Sequence, residues 1–177
     1  MTNFYKVTSS YVSVLEDGQT GTKKETFLIE CSNFADAYYT IVEILNQTTE
    51  DKDSIRIHRI DWLEKLSGLY LSDLLGKEES LKQGMVELSC DKEIHLYHIK
   101  MMFLVIDGKK MKKVYDIYYV PAKDTTHAIK HVNASLAGTP FDHEVVDTKQ
   151  LSIDTVLLTE STYEQLIKEY DLLKAKL

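Results

Sequence analysis

The feature that most constrains the fold is an order of two strands, one helix and one strand that occurs twice along the chain. In the first half, alternating apolar and polar residues predict strands over 4–15 and 25–31, joined by a glycine-containing turn as in a hairpin. Ser32 stands at the N-cap position of a helix predicted over 34–45, where apolar residues recur at helical spacing. Isoleucines separated by polar residues over 54–60 are typical of a half-buried strand. This half is therefore a β-β-α-β unit.

The same order returns in the second half, with strands predicted over 94–106 and 114–120, a helix over 124–136 and a strand over 145–151. We infer an internal duplication, because single residues correspond as well as elements do. The predicted fold class is α+β, in which tandem β-β-α-β repeats form an antiparallel or mixed sheet with helices packed on it. Corresponding helix residues are Ala37, Ile41 and Leu45 in the first half and Ala128, Val132 and Leu136 in the second.

Two further segments lie outside the repeats. Leucines punctuated by glycines over 62–93 predict a connector of one or two short helices, and the last residues predict an amphipathic C-terminal helix. The predicted division is a first repeat over 1–61, a helical connector over 62–93, a second repeat over 94–158 and the C-terminal helix over 159–177.

The C-terminal helix is predicted to begin with a capping box formed by Ser161 and Glu164. Its apolar residues recur in alternating steps of three and four, as they do in the seam of a coiled coil. Two heptads are short for an autonomous coiled coil, so the helix either folds back on its own domain or packs against a partner. This candidate partner interface consists of Tyr163, Leu166, Tyr170, Leu173 and Leu177.

Charge and cysteine usage exclude several classes of protein. With 21 Lys and Arg against 28 Asp and Glu, the formal net charge of −7 argues against a protein that coats duplex DNA, although a local basic patch stays open. Cys31 and Cys90 lie far apart and form no CxxC, so neither a disulfide framework nor a Cys-rich zinc site is predicted. We find no pattern of a signal peptide or membrane span, and we expect a cytoplasmic protein without a membrane partner.

Motifs for catalysis are missing as well. The sequence contains no G-x-S-x-G, no G-x-x-x-x-G-K-[ST] and no G-x-G-x-x-G. His127 and His131 have an i, i+4 spacing that can hold zinc, but no further ligand extends the pattern, and Lys130 between them favours a solvated helix face. We therefore expect a protein that is not an enzyme, with no catalytic residues, no metal and no cofactor.

The most distinctive surface is on the second hairpin. One face of its first strand is continuous enough to be core, and the opposite face places tyrosines beside a turn with four lysines in the seven residues 107–113. Rings that stack with bases beside cations that neutralise phosphates are what single-stranded nucleic acid requires. The alternative is that other elements or a second subunit cover this face while the lysines keep the hairpin soluble. The candidate nucleic-acid contacts are Lys100, Lys109, Lys110, Lys112, Lys113, Tyr115 and Tyr119.

Binding is accordingly the predicted activity. Protein–protein contact or self-assembly is the first hypothesis, because sheet area beyond what two helices cover and a seam-like tail both call for partners. Binding of single-stranded nucleic acid through the second hairpin is the alternative hypothesis.

Four segments of the sequence also resemble a known family: Phe4-Tyr5-Lys6-Val7, the helix start Ser32-Asn33-Phe34-Ala35-Asp36-Ala37, His58-Arg59, and Leu136-Ala137-Gly138-Thr139-Pro140-Phe141-Asp142. Together they are similar to an uncharacterised family of small proteins, a domain of unknown function, found in gut bacteria and their phages. The resemblance covers roughly residues 4–60 and 94–157, hence both repeats. It implies the fold and a phage-related setting, and it carries no activity or catalytic residue to this chain.

Overall fold

The computed structural model describes residues 3–63, 66–69, 80–82, 84–89, 93 and 95–175. Within these ranges the chain forms strands and helices in an α+β arrangement, which confirms the predicted fold class. The elements in chain order are β1 (Asn3–Val14), β2 (Thr20–Cys31), α1 (Phe34–Thr48), a 3-10 turn (Lys52–Ser54), β3 (Arg56–Trp62), β4 (Leu66–Leu69), β5 (Ser80–Lys82), β6 (Met85–Ser89), β7 (His95–Asp107), β8 (Lys110–Ala122), α2 (Thr125–Leu136), β9 (His143–Leu151), β10 (Thr155–Thr159) and α3 (Glu160–Lys174).

These elements form two compact units, each with its own sheet. The first unit contains α1 and a sheet in the order β3-β1-β2-β10-β6-β5. The second contains α2, α3 and a sheet in the order β4-β8-β7-β9. Each unit includes one β-β-α-β segment whose third strand pairs with its first strand. The internal duplication itself stays a prediction.

In the first unit, α1 packs on one face of the sheet. The odd-numbered residues of β1 and β2 point toward the helix, because successive side chains of a strand point to opposite faces. Val7, Ile29 and Ile41 are fully buried there. Burying an aliphatic side chain of this size contributes about 1.5–3 kcal/mol relative to leaving it in water, so this interface stabilises the unit.

The second unit repeats this packing with α2 on its sheet. The face of β7 that was predicted to be core is buried, and Val105 packs against its edge, which confirms the assignment of that face. The helix contributes small and branched residues to the same cluster. The cluster includes Tyr97, Ile99, Met101, Phe103, Tyr118, Val120, Ala128, Val132 and Leu136.

Helices α1 and α2 each begin with a side-chain cap. The Oδ1 of Asn33 accepts a hydrogen bond from the backbone N–H of Asp36 at 3.0 Å, so Asn33 is the N-cap and the predicted cap Ser32 is wrong by one residue. Asparagine and serine are about equally favoured at this position, so composition alone did not separate them. In α2, Asp124 takes the same role toward the N–H of His127 at 2.9 Å.

The predicted helical connector is wrong wherever the structure describes it. Residues 66–69, 80–82 and 85–89 are strands β4, β5 and β6, and the helix prediction for the rest of 62–84 falls largely outside the described residues. Short apolar runs fit a strand as well as one helical turn, and pairing with β8 or β10 decides between them here.

The C-terminal helix is present, but it begins at Glu160, so Ser161 lies in its first turn and is not its N-cap. Before it, β10 runs parallel to β2 and antiparallel to β6. Asp154 holds β10 to β2, because its N–H donates to the carbonyl of Thr26 at 2.8 Å and its Oδ2 accepts from the N–H of Thr26 at 2.7 Å. At the other end, buried Glu30 accepts from the N–H and the hydroxyl of Thr159 at 2.9 and 3.0 Å.

Candidate interaction site

The hairpin of β7 and β8 extends beyond the strands that flank it. β9 pairs with β7 as far as Phe103, and β4 pairs with β8 no further along the hairpin than Ile117. In the described part of the chain, residues 105–113 therefore form a two-stranded projection. It is closed by a two-residue loop whose Gly108 has a φ of +65°, a backbone conformation that favours glycine. We call residues 105–113 the hairpin tip.

Two apolar side chains project from the hairpin tip into solvent. Ile106 and Met111 are direct cross-strand partners, and they are 76% and 73% exposed. Four exposed lysines lie beside this pair in the sequence, and Asp107 is the one carboxylate of the turn. Along β8, Lys113 shares the face of Met111, whereas Lys110 and Lys112 point to the opposite face. An apolar pair within a basic rim suits a partner surface that has an apolar centre and acidic edges. The lysines are Lys109, Lys110, Lys112 and Lys113.

The two tyrosines predicted to stack with bases have different environments. Tyr115 is 45% exposed, and the Lys100 ammonium lies 4.8 Å from the centre of its ring. Tyr119 is only 4% exposed and has no ring face available to a base, so the prediction that it stacks with nucleic acid is wrong. Alternation placed Tyr119 on the correct face of the sheet, but it did not reveal that this part of the face is covered.

His98 also lies in this covered part of the sheet. Its ring packs edge-on against Tyr119 with a centroid distance of 5.5 Å, and its Nδ1 is buried without a hydrogen-bond partner among the described residues. Burial lowers the pKa of His98, since the charged imidazolium loses its hydration, and burial also raises the pKa of Tyr119. Both shifts favour the neutral form of the side chain, and the exposed residues of this hairpin lie in its outer part.

The candidate partner interface on α3 is partly buried within a single chain. Leu166 is buried, while Tyr163 and Tyr170 are half-buried. The Leu173 side chain and residue Leu177 lie outside what the structure describes. Leu166 is already covered without any partner, and the partner interface predicted on this helix stays a prediction.

The histidine pair of α2 does not form a described metal site. His127 Nδ1 lies 2.9 Å from Asp124 Oδ2, and the backbone N–H of His127 donates to the same carboxylate. These hydrogen bonds, the backbone one foremost, lower the pKa of Asp124. The geometry explains His127 as part of the helix cap, and His131 lies one turn further on. In the described ranges no three potential ligands converge.

Sequence reasoning missed one pair that has the elements of a nucleophile. Ser10 Oγ and His58 Nε2 are 2.6 Å apart, where β1 and β3 change register around His58. A hydroxyl beside an imidazole can be activated when a third group orients the ring. No such group contacts the ring in the described part of the chain, and Ser10 is buried. This pair therefore closes an irregularity in the sheet, and its separation of 48 residues gave no local signal.

The exposed face of α1 was also missed. Asp36, Tyr39 and Glu43 follow one another at steps of three and four and so share one face of the helix. Tyr39 is 68% exposed, and Tyr38 packs against it edge-to-face at 5.4 Å. Residues 25–51 contain six carboxylates and no Lys or Arg. We call Asp36, Tyr38, Tyr39 and Glu43 the acidic face of α1. Its helical spacing is visible in the sequence, but that spacing does not mark the exposed side of a helix as a binding surface.

Comparison with known proteins identifies the family. Comparison with curated proteins finds no match to this chain. No helix in the described ranges has the length and apolar content needed to cross a membrane. A family model matches residues 3–159, which include both hairpins, α1, α2 and β10, whereas α3 lies beyond the match. The chain therefore belongs to the family described as a domain of unknown function (DUF4494), as the resemblance of its helix starts and strands implied.

Proposed function

We propose that this protein is a non-catalytic binding protein that acts through protein–protein contacts made by the hairpin tip. The observation that carries the proposal is the exposed cross-strand pair of Ile106 and Met111 in a turn with four exposed lysines. Large apolar side chains that project from a narrow hairpin contribute little to its own core, and methionine is common on surfaces that bind other proteins. With four lysines against one aspartate, the segment 107–113 has a formal charge of +3, so the partner surface is acidic.

The side chains at the hairpin tip favour a protein over a nucleic acid. Stacking with bases requires flat rings, and the tip presents an isoleucine and a methionine instead. Of the two candidate rings, Tyr119 is buried and Tyr115 already has the Lys100 ammonium over its ring. The cytoplasm remains the proposed location. Among the described residues, Cys31 is a half-buried thiol whose pKa burial raises to about 11, which disfavours the reactive thiolate.

Single-stranded nucleic acid is the second candidate, favoured by one observation. All four lysines of the hairpin tip are exposed, so they can neutralise phosphates. With a net charge of −7 on the whole chain, we expect weak binding that falls steeply with salt, at a log–log slope of about −0.7 per phosphate contacted.

The test places a photoreactive benzoylphenylalanine at position 111 in cells that normally make the protein. The matched control carries it at Val14 of the first hairpin, which is 70% exposed but lies next to Glu16 and Asp17. We expect discrete protein adducts from position 111 that disappear when Lys112→Glu and Lys113→Glu are added, and none from position 14. Nuclease-sensitive adducts at position 111 would favour the second candidate. Equal labelling from both positions would refute a dedicated contact at the hairpin tip.

A further inference from the structure

We propose that the partner of the hairpin tip is the acidic face of α1 on a second copy of this chain. The inference rests on the proposed function, because it uses the same hairpin tip as one half of the contact. It adds the other half: the recipient surface, the chemistry of the match and the way in which copies assemble.

The acidic face of α1 has the composition that the hairpin tip requires. Asp36 and Glu43 lie one turn before and one turn after Tyr39, so a ring with 68% exposure is bracketed by two exposed carboxylates. The Tyr38 ring packs edge-to-face against this ring at 5.4 Å, and Asn33 Nδ2 donates to Asp36 Oδ2 at 2.8 Å. Side chains that already make such contacts lose less conformational entropy when a partner binds.

The two surfaces match group by group. A lysine ammonium is attracted both to the face of a tyrosine ring and to carboxylates beside it, and a methionine sulfur packs favourably against a ring edge. The chain itself forms the lysine–tyrosine arrangement twice among its described residues on β strands, with Lys100 at 4.8 Å from Tyr115 and Lys23 at 5.9 Å from Tyr11. The charges of the two surfaces are also complementary. The charged residues of 25–51 are all acidic, and the hairpin tip is basic.

The contact joins two different surfaces, and this has a defined consequence for assembly. When a patch on one subunit binds a different patch on the next, each added copy still presents a free tip and a free face. Copies therefore add head to tail, into a ring or an open chain, and not only into a symmetric dimer. The contact is small, about one hairpin end on one helix face, so each step is weak and assembly depends on concentration.

The experiment is sedimentation velocity of the full chain from about 10 µM to about 1 mM, where weak contacts of this size associate. A tip variant carries Met111→Ser and Lys113→Glu, and a face variant carries Tyr39→Ser and Glu43→Lys. We expect the average mass of the wild type to rise with concentration and each variant to associate at least about tenfold more weakly. The control Val14→Ser, at an equally exposed position of the first hairpin, associates like the wild type. Circular dichroism verifies that every variant is folded.

Mixing the two variants decides the geometry. The tip variant keeps an intact face and the face variant keeps an intact tip, so an equimolar mixture forms a 1:1 complex that grows no further. A mixture that stays monomeric overturns the head-to-tail contact, and so does a wild type that stays monomeric up to about 1 mM. If the wild type is monomeric while position 111 still crosslinks to another protein, this inference falls and the proposed function stands. If position 111 gives no adduct in cells either, both fall.

Discussion

Stability at alkaline pH tests the environment of Tyr11, a buried residue of β1. Its hydroxyl donates to Glu25 Oε2 at 2.8 Å, and Thr155 Oγ1 lies 3.2 Å from the other carboxylate oxygen. Burial, followed by the negative charge of Glu25, raises the pKa of Tyr11 above its ordinary value of about 10. A raised pKa in the folded state means that its stabilisation is complete below about pH 10 and is lost as the pH rises further.

The magnitude follows from proton linkage. At pH 11 an unfolded tyrosine is mostly ionised while the folded Tyr11 keeps its proton, which removes about 1.4 kcal/mol of stability relative to pH 8. Tyr11→Phe keeps the ring but loses the hydrogen bond, which costs about 1.5 kcal/mol at pH 8, the lower end for a charged acceptor because Glu25 is half-buried. The difference between wild type and variant should therefore shrink to almost nothing at pH 11.

The assay is urea unfolding at both pH values, followed by circular dichroism and by the fluorescence of Trp62, the single tryptophan, which lies in the same sheet. Tyr39→Phe, at an exposed ring, serves as the control. At pH 8 and at pH 11 its free energy of unfolding should equal that of the wild type. Other groups that ionise in this range do so in both proteins, so they cancel in the comparison. A difference that stays constant from pH 8 to pH 11 would show that Tyr11 ionises as easily in the fold as in the unfolded chain, and it would refute the argument.

Three further predictions concern stability and are measured by urea unfolding at neutral pH. Asn33→Ala should cost about 1 kcal/mol, because it removes the N-cap of α1, whereas Ser32→Ala should cost less than about 0.5 kcal/mol; the reverse order would contradict the assigned cap. Ile41→Ala should cost about 3 kcal/mol through lost burial and a cavity, and a loss below about 1 kcal/mol would contradict its place in the core. Gly108→Ala should cost about 1–2 kcal/mol, since its φ of +65° strains any residue with a Cβ, and an unchanged stability would contradict that turn geometry.

Local patterns predicted the two hairpins, the helices and the faces of their strands. The alternation along β7 identified Ile99 and Met101 as core, and helical spacing identified Ile41 and Val132, because these periodicities follow from backbone geometry alone. The register of the second hairpin can be predicted as well. Its two-residue loop at Gly108 fixes which residue of β8 pairs with each residue of β7.

Other features depend on contacts between residues that are distant in sequence. The strand at 66–69 exists because it pairs with β8, and nothing within four residues distinguishes it from a helical turn. Tyr119 and Tyr115 lie on the same face of β8, yet Tyr119 is buried and Tyr115 is exposed. Alternation predicts the face of a side chain, but it does not predict whether another element covers that face. The pair of Ser10 and His58 likewise forms only when β1 and β3 align. The sequence pattern therefore does not determine which strands pair or which parts of a sheet face are buried.

The insertion of β10 between β2 and β6 has a consequence for synthesis of the chain. A ribosome releases β1, β2 and α1 first, but the sheet they belong to lacks a central strand until Thr155–Thr159 have emerged. The nascent first unit therefore exposes the β2 edge around Ile29 for most of translation, and its high contact order slows closure of the sheet. A fragment that ends at residue 61 would carry the same open edge permanently. Such a fragment is expected to aggregate through this edge.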